Sequence, residues 1–435
     1  MKKGTSSIAG APPLLAAAHP VWLCGFRSFF LLTALSGVLF VLLWGAFLAC
    51  GAPLPPVAGG PVVWHAHELL FGFGLASVAG FALTAIPEFT HSAAVAPRTV
   101  RALAGLWLLG RLAFWLSGWL GMAGLTLSAI AHLGLLAGLI AVLAPRLWND
   151  PERRHLAFLW SLLALTVLVA GFYVDALRGE VPVRWLNATL GVLMMLIVVA
   201  MSRISMSIVN GALDEAGSAG VERIEYLARP PRRNLAIVCI GLYTAAEFLA
   251  PGARVGGWLA LAVAAALCHL QSDWHIGRAL FRRWPLMLFG VYVLMALGYG
   301  VIGVALVTGS DGFSAGRHLL TVGALGLNVF VVLNIAGRIH TGHPLDEGLW
   351  VPSGAVLLVL AALLRASADS HLLMAAASVL WALPFAGFIW RMWPLYARPR
   401  SDGGSACAGL RSAIVDSGAT AEKSAPRCAG ESGMT

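Results

Sequence analysis

The chain has 435 residues, 59% of them hydrophobic and 11% charged; an ordinary soluble domain carries about 25% charged residues, so a soluble enzyme is excluded. Its formal net charge of +9 comes without a basic–aromatic patch, which points to anionic lipid headgroups and away from nucleic acid. The cysteines, at Cys24, Cys50, Cys239, Cys268, Cys407 and Cys428, contain no Cys-x-x-Cys pair, which excludes a zinc ribbon and covalent c-type haem attachment.

Residues 1–26 read as a cytoplasmic lead-in, because Pro12-Pro13 and His19-Pro20 interrupt the apolar stretch that a cleaved signal would need. A membrane-spanning helix takes about 20 mostly apolar residues. Such segments run near 27–50, 67–87, 101–118, 122–145, 156–177, 185–209, 235–251, 256–272, 285–308, 317–336, 349–365 and 371–394. The expected fold is therefore all-α: a polytopic transmembrane helical bundle of about twelve spans, with 27–394 as one membrane domain. The longest internal connection, about 210–234, separates two six-helix halves. The tail at 395–435, rich in Ser, Gly and Ala, reads as disordered and cytoplasmic. With both ends inside, 22 Lys and Arg fall on the cytoplasmic side, 5 outside and 2 within helices. That excess is the pattern expected of inward loops, and it supports twelve spans with both termini cytoplasmic. Tryptophans at helix ends, such as Trp64, Trp185, Trp350 and Trp393, suit an interfacial belt.

The second span opens with Trp64-His65-Ala66-His67-Glu68. Ionisable and metal-binding groups are costly at a bilayer boundary, so their clustering points to a cofactor, an ion or a proton path. On a helix His65 and His67 point about 200° apart. The face of His65 also carries Glu68, Gly72, Ala76 and Gly80, a small-residue stripe that admits another backbone or a flat macrocycle. This places His65 on the packed face, with Glu68 near enough to bond a ring nitrogen. His67 then points to another helix or to the outer water. The tenth span opens on the same side with Arg317-His318 and continues with Thr321 and Asn328. One His from each span, as an axial pair, would hold a b-type haem. His340, 22 residues beyond His318 and so about 33 Å away on a helix, cannot share that site; with His343, His269 and His275 it offers a separate inner cluster. His132 lies near mid-membrane. Arg111 is deep and calls for an anionic partner such as Glu247, Glu68 or a propionate. The candidate cofactor-binding residues are His65, His67, Glu68, His318 and Arg317, and the candidate metal ligands are His65, His67, His318 and His340.

The run from Trp64-His65-Ala66-His67-Glu68 through Phe71-Gly72-Phe73 to Gly80-Phe81-Ala82-Leu83-Thr84-Ala85-Ile86-Pro87 resembles a signature of the NnrS family. Arg317-His318, Thr321-Val322-Gly323-Ala324, Arg338 and His340-Thr341-Gly342-His343-Pro344-Leu345 resemble its second signature. The resemblance implies a bacterial inner-membrane protein with haem b and copper, linked to nitric oxide and nitrosative stress. The chain departs from the family's pattern at Glu88-Phe89-Thr90-His91, at Ser202-Arg203-Ile204-Ser205-Met206, where a proline is missing, and at Val291-Tyr292, which lacks a nearby His. The expected partners are the lipid bilayer and nitric oxide or a related small molecule. Two functional readings follow: a haem protein of the nitric oxide response, open to oxidoreductase-type chemistry, or a polytopic transporter or channel without haem. A classical haem–copper oxidase ranks last, because the chain has no adjacent His-His pair.

Overall fold

The computed structural model describes residues 16, 19–151, 153–216 and 225–400. The expected tail falls mostly outside them, as does most of the lead-in. All twelve expected segments are helical. In chain order they are α1 (Gly25–Cys50), α2 (Gly60–Phe89), α3 (Pro97–Trp115), α4 (Met122–Trp148), α5 (Leu156–Leu177), α6 (Val183–Ala216), α7 (Pro230–Leu249), α8 (Arg254–Gln271), α9 (Arg283–Thr308), α10 (Phe313–Ile339), α11 (Trp350–Ser367) and α12 (His371–Tyr396). Ten are long and apolar enough to cross a membrane, all except α3 and α7. Those two have 19 and 20 residues, but Arg98, Arg101 and Arg111 in α3 and Arg232 and Arg233 in α7 lower their apolarity. The connection expected at 210–234 is shorter than that: α6 runs on to Ala216 and α7 begins at Pro230.

Helix ends follow local chemistry. Proline at the first turn, where the backbone N–H has no helical partner anyway, opens α2, α3 and α7. Gly51 and Gly309, at φ 67° and 75°, close α1 and α9 in the left-handed conformation that costs glycine little.

Ten helices form a ring and two fill it. Contacts run α1–α12–α11–α9–α8–α7–α6–α5–α4–α3 and back to α1. Inside lie α2 and α10, each packed on both α1 and α6. Burial makes the distinction: 83% of the apolar core of α2 and of α10 is buried, against 33–56% for the other eight apolar spans. A lipid-facing helix keeps one side in hydrocarbon. These two have no such side.

Both inner helices widen into a seven-residue π-helix just after their histidines, at Glu68–Gly74 and Leu319–Leu325. The wider turn upsets the i→i−4 ladder, and π segments recur at functional sites. In each case an indole from the ring takes a carbonyl there. Trp107 Nε1 donates to Gly72 O at 3.0 Å, and Trp381 Nε1 donates to Val322 O at 3.0 Å. The ring is tied at one end by Arg27, whose buried Nη1 donates to the carbonyls of Tyr396 (2.9 Å) and Arg398 (2.7 Å).

Candidate functional site

The polar side chains of α2 divide between two places. His65 is half-buried and lies flat on Trp44 of α1, with ring centroids 4.3 Å apart and planes at 19°. Its Nδ1 is buried and has no hydrogen-bond partner. His318 of α10 is half-buried too. Its Nδ1 donates to Ser314 O at 2.7 Å, which leaves Nε2 as the nitrogen with a free lone pair. His318 and Arg365 of α11 lie near enough to act electrostatically on His65. The structure thus brings the two expected histidines, one from each inner helix, to the same end of the bundle.

Of the two directions expected for His67, another helix or the outer water, the structure shows the first. His67 is fully buried, not turned to outer water. Its Nδ1 is 2.8 Å from Glu68 Oε1, its Nε2 is 3.0 Å from Tyr173 OH, and its ring stacks on Phe114 at 3.5 Å. Both ring nitrogens are engaged, so His67 offers no free lone pair. Glu68 serves His67 and not His65. A central helix is packed on every side, so both faces of α2 meet other helices.

Around His67 and Glu68 the ring contributes Arg111 (α3), Ser128 and His132 (α4) and Tyr173 (α5), each buried. Arg111 Nη1 lies 3.6 Å from Glu68 Oε1 and its Nη2 3.5 Å from His132 Nδ1. Glu68 is thus the anionic partner that Arg111 calls for. Tyr173 OH is 2.6 Å from His132 Nδ1 and 2.7 Å from Ser128 Oγ, and Ser128 in turn donates to Gly110 O at 2.8 Å. His132 fits only because residue 110 is glycine: a Cβ there would sit 2.7 Å from His132 Nε2. Sequence reasoning missed Tyr173 and Ser128. Ser128 was findable, four residues before His132 on one helix face. Tyr173 had no local signal.

The remaining candidates are not brought together. The small-residue stripe of α2 is filled by rings from α1, with Phe40 against Gly72 and Phe29 and Phe30 against Gly80. It receives side chains, not a macrocycle. Arg317 donates to Asn187 Oδ1 at 2.7 Å and lines a pocket with Tyr243 and Glu247. At the opposite end His340 faces Glu88, Nε2 to Oε2 3.5 Å. His269 and His275 are exposed, and no group of three or more His, Cys, Asp or Glu is placed to hold a metal ion among the described residues. The inner histidine cluster therefore does not form.

Compared with known proteins, the chain matches the family model described as NnrS protein over residues 20–400. No curated protein matches it.

Proposed function

The chain belongs to the NnrS family, and from that premise we propose that it is a multi-pass protein of the bacterial cytoplasmic membrane that carries haem b and acts in the response to nitric oxide. In this reading all twelve helices cross the bilayer and both ends face the cytoplasm; the 22-to-5 excess of Lys and Arg on that side supports it.

Free lone pairs decide which residues fit each cofactor. His318 fits haem iron: Ser314 O fixes its tautomer and orientation, and Nε2 is left to ligate. That is the observation that carries the proposal. His65, with its unpartnered Nδ1 and its ring on Trp44, stands at the same end. Arg365 supplies a cation at the same end, as anionic propionates require. His67 and His340 do not fit, since their ring nitrogens face Glu68, Tyr173 and Glu88. A copper centre with three or more such protein donors is not formed among the described residues, and no step is drawn through copper. Bound haem supplies a redox-active iron that can take nitric oxide as a ligand.

The test is a reduced-minus-oxidised spectrum of the purified protein from iron-supplied cells. The expected result is a b-type spectrum, with bound haem falling sharply in His318→Ala and staying unchanged in His275→Ala. Equal haem in both variants, or no haem band in the wild type, overturns the reading. A second reading, a transporter without haem, is favoured by the pocket between α6, α7, α9 and α10, where Asn187, Tyr243, Glu247 and Arg317 converge. Solute uptake by vesicles that is lost in Glu247→Gln, with no chromophore present, would establish it instead.

A further inference from the structure

The chain of polar groups around Tyr173 plays no part in holding haem, and its bonding is unusually continuous. Glu68 Oε1 meets His67 Nδ1 at 2.8 Å, His67 Nε2 meets Tyr173 OH at 3.0 Å, and Tyr173 OH meets His132 Nδ1 at 2.6 Å. These four side chains come from three helices and are at most 2% exposed. His132 stands ten residues into α4, roughly 15 Å along its axis. Both terminal atoms, Glu68 Oε2 and His132 Nε2, are buried without hydrogen-bond partners, so the chain is open at each end.

Two proton arrangements satisfy every internal bond. In the first, Glu68 is a carboxylate that accepts from His67 Nδ1–H. Tyr173 O–H then donates to His67 Nε2, and His132 Nδ1–H donates to Tyr173. In the second, Glu68 is a carboxylic acid that donates to His67 Nδ1. His67 Nε2–H then donates to Tyr173, Tyr173 O–H donates to His132 Nδ1, and His132 carries its proton on Nε2. The arrangements differ by one proton.

We propose that Glu68, His67, Tyr173 and His132 form a proton wire, which carries one proton between the Nε2 edge of His132 and the carboxylate of Glu68. A proton taken up at His132 Nε2 releases the Nδ1 proton to Tyr173. Tyr173 passes its own to His67 Nε2, and His67 passes its Nδ1 proton to Glu68 Oε1. One proton enters and one O–H bond forms on Glu68; each relay group ends with as many protons as it had. No electron moves. Ser128, whose hydroxyl is committed to Gly110 O, offers its lone pair to Tyr173 at 2.7 Å while the tyrosine proton swings between the imidazoles.

The groups that face this chain are few. Arg111 from α3 gives Glu68 its counter-charge and also stands 3.5 Å from His132 Nδ1, and the Trp115 indole of the same helix is turned to Glu68. From α4 come Ser128 and His132, and from α5 Tyr173. At Gly72 and Gly74, in the next turn of α2, the nearest side chains of α1 and α6 are Phe40 and Leu193, which carry no charge. A bundle interior this buried has little reason to keep an open polar chain for stability alone, since each unpartnered buried atom costs free energy.

Infrared difference spectroscopy on the lipid-reconstituted protein tests the wire, because a protonated carboxyl has a carbonyl stretch that a carboxylate lacks. On acidification the wild type is expected to gain that band, and Glu68→Gln to lose it. After a rapid pH jump the band should grow at least about tenfold more slowly in Tyr173→Phe. That variant keeps the ring and removes only the relaying oxygen. His132→Asn, measured beside it, should slow the band to a similar extent. A wild-type band that Glu68→Gln does not remove, or equal rates in wild type, Tyr173→Phe and His132→Asn, overturns the proposal. Helical circular dichroism on each variant identifies any that fail to fold, and the decision is read from those that do.

Discussion

Tyr173 is the residue on which the buried polar cluster turns, with three polar neighbours within 3.0 Å of one hydroxyl. Tyr173→Phe leaves His67 Nε2 and His132 Nδ1 short of a partner in a dry interior. The expected loss is about 1–3 kcal/mol, read as a lower thermal unfolding midpoint in detergent. Gly110 makes a sharper test. Alanine there drives a methyl into the His132 ring and should cost about 1–3 kcal/mol as overpacking does. Gly105→Ala, on the same helix but facing open space, should be neutral or mildly stabilising by about 0.5–1 kcal/mol. Similar midpoints for the two alanines would contradict the packing described. Outside the spans, Asp346 accepts from Gly348 N at 2.6 Å and Trp350 Nε1 at 3.0 Å and pairs with Arg338. Partial burial pushes its carboxyl up, but the bonds from Trp350 and Gly348 and the charges of Arg338 and Arg391 outweigh that and hold it below the ordinary carboxylate range. A depressed folded value means stability present above the unfolded pKa and lost as pH falls through the folded one. Asp346→Asn should therefore speed hydrogen exchange at Gly348 near neutrality, and the difference from wild type should vanish at strongly acid pH.

At the scale of the helix, the two π segments are what set α2 and α10 apart from their neighbours, and each depends on an indole from the ring. Trp107→Phe and Trp381→Phe keep the aromatic volume and strip the donor from Gly72 O and Val322 O. Each is expected to lower stability by about 1–3 kcal/mol, the cost of a buried carbonyl left unpaired. Trp119→Phe, an exposed control, should not move the midpoint. The position of the twelve helices was legible in the sequence, because long apolar runs separated by charged loops determine it. Which of them lie inside was not. Hydropathy measures transfer from water and scores lipid and protein interior alike, so α2 and α10 look like any other span. His67 and His318 each stand immediately before a π turn, which nothing in the sequence announces. Opposite faces for His65 and His67 were legible from helix geometry; that His67 meets another helix and not the outer water follows from the central placement of α2. Arg111 and Glu68 were readable as partners because a buried cation requires an anion. Tyr173 was not, since it lies 106 residues from His67 along the chain and only the packing of α5 on the bundle brings it there.

For the whole molecule, the closing contact is Arg27 on the last turn of α12. A cation among the final carbonyls of a helix offsets its dipole, and here it also joins the first span to the last. Arg27→Ala should cost about 2 kcal/mol and loosen α12 first, seen as earlier proteolysis near Tyr396 and a lower unfolding midpoint. Protection at Tyr396 equal to wild type would refute that role. The central position of α2 has a further consequence, for biogenesis. During synthesis α2 leaves the ribosome ahead of Arg111, His132 and Tyr173, and at ordinary elongation rates about 10 s pass before the last of these appears. Through that interval a nascent helix bearing two imidazoles and a carboxylate has no place in hydrocarbon. The insertion machinery must shelter it until α5 is made, so the second helix to be translated is among the last to reach its final neighbours.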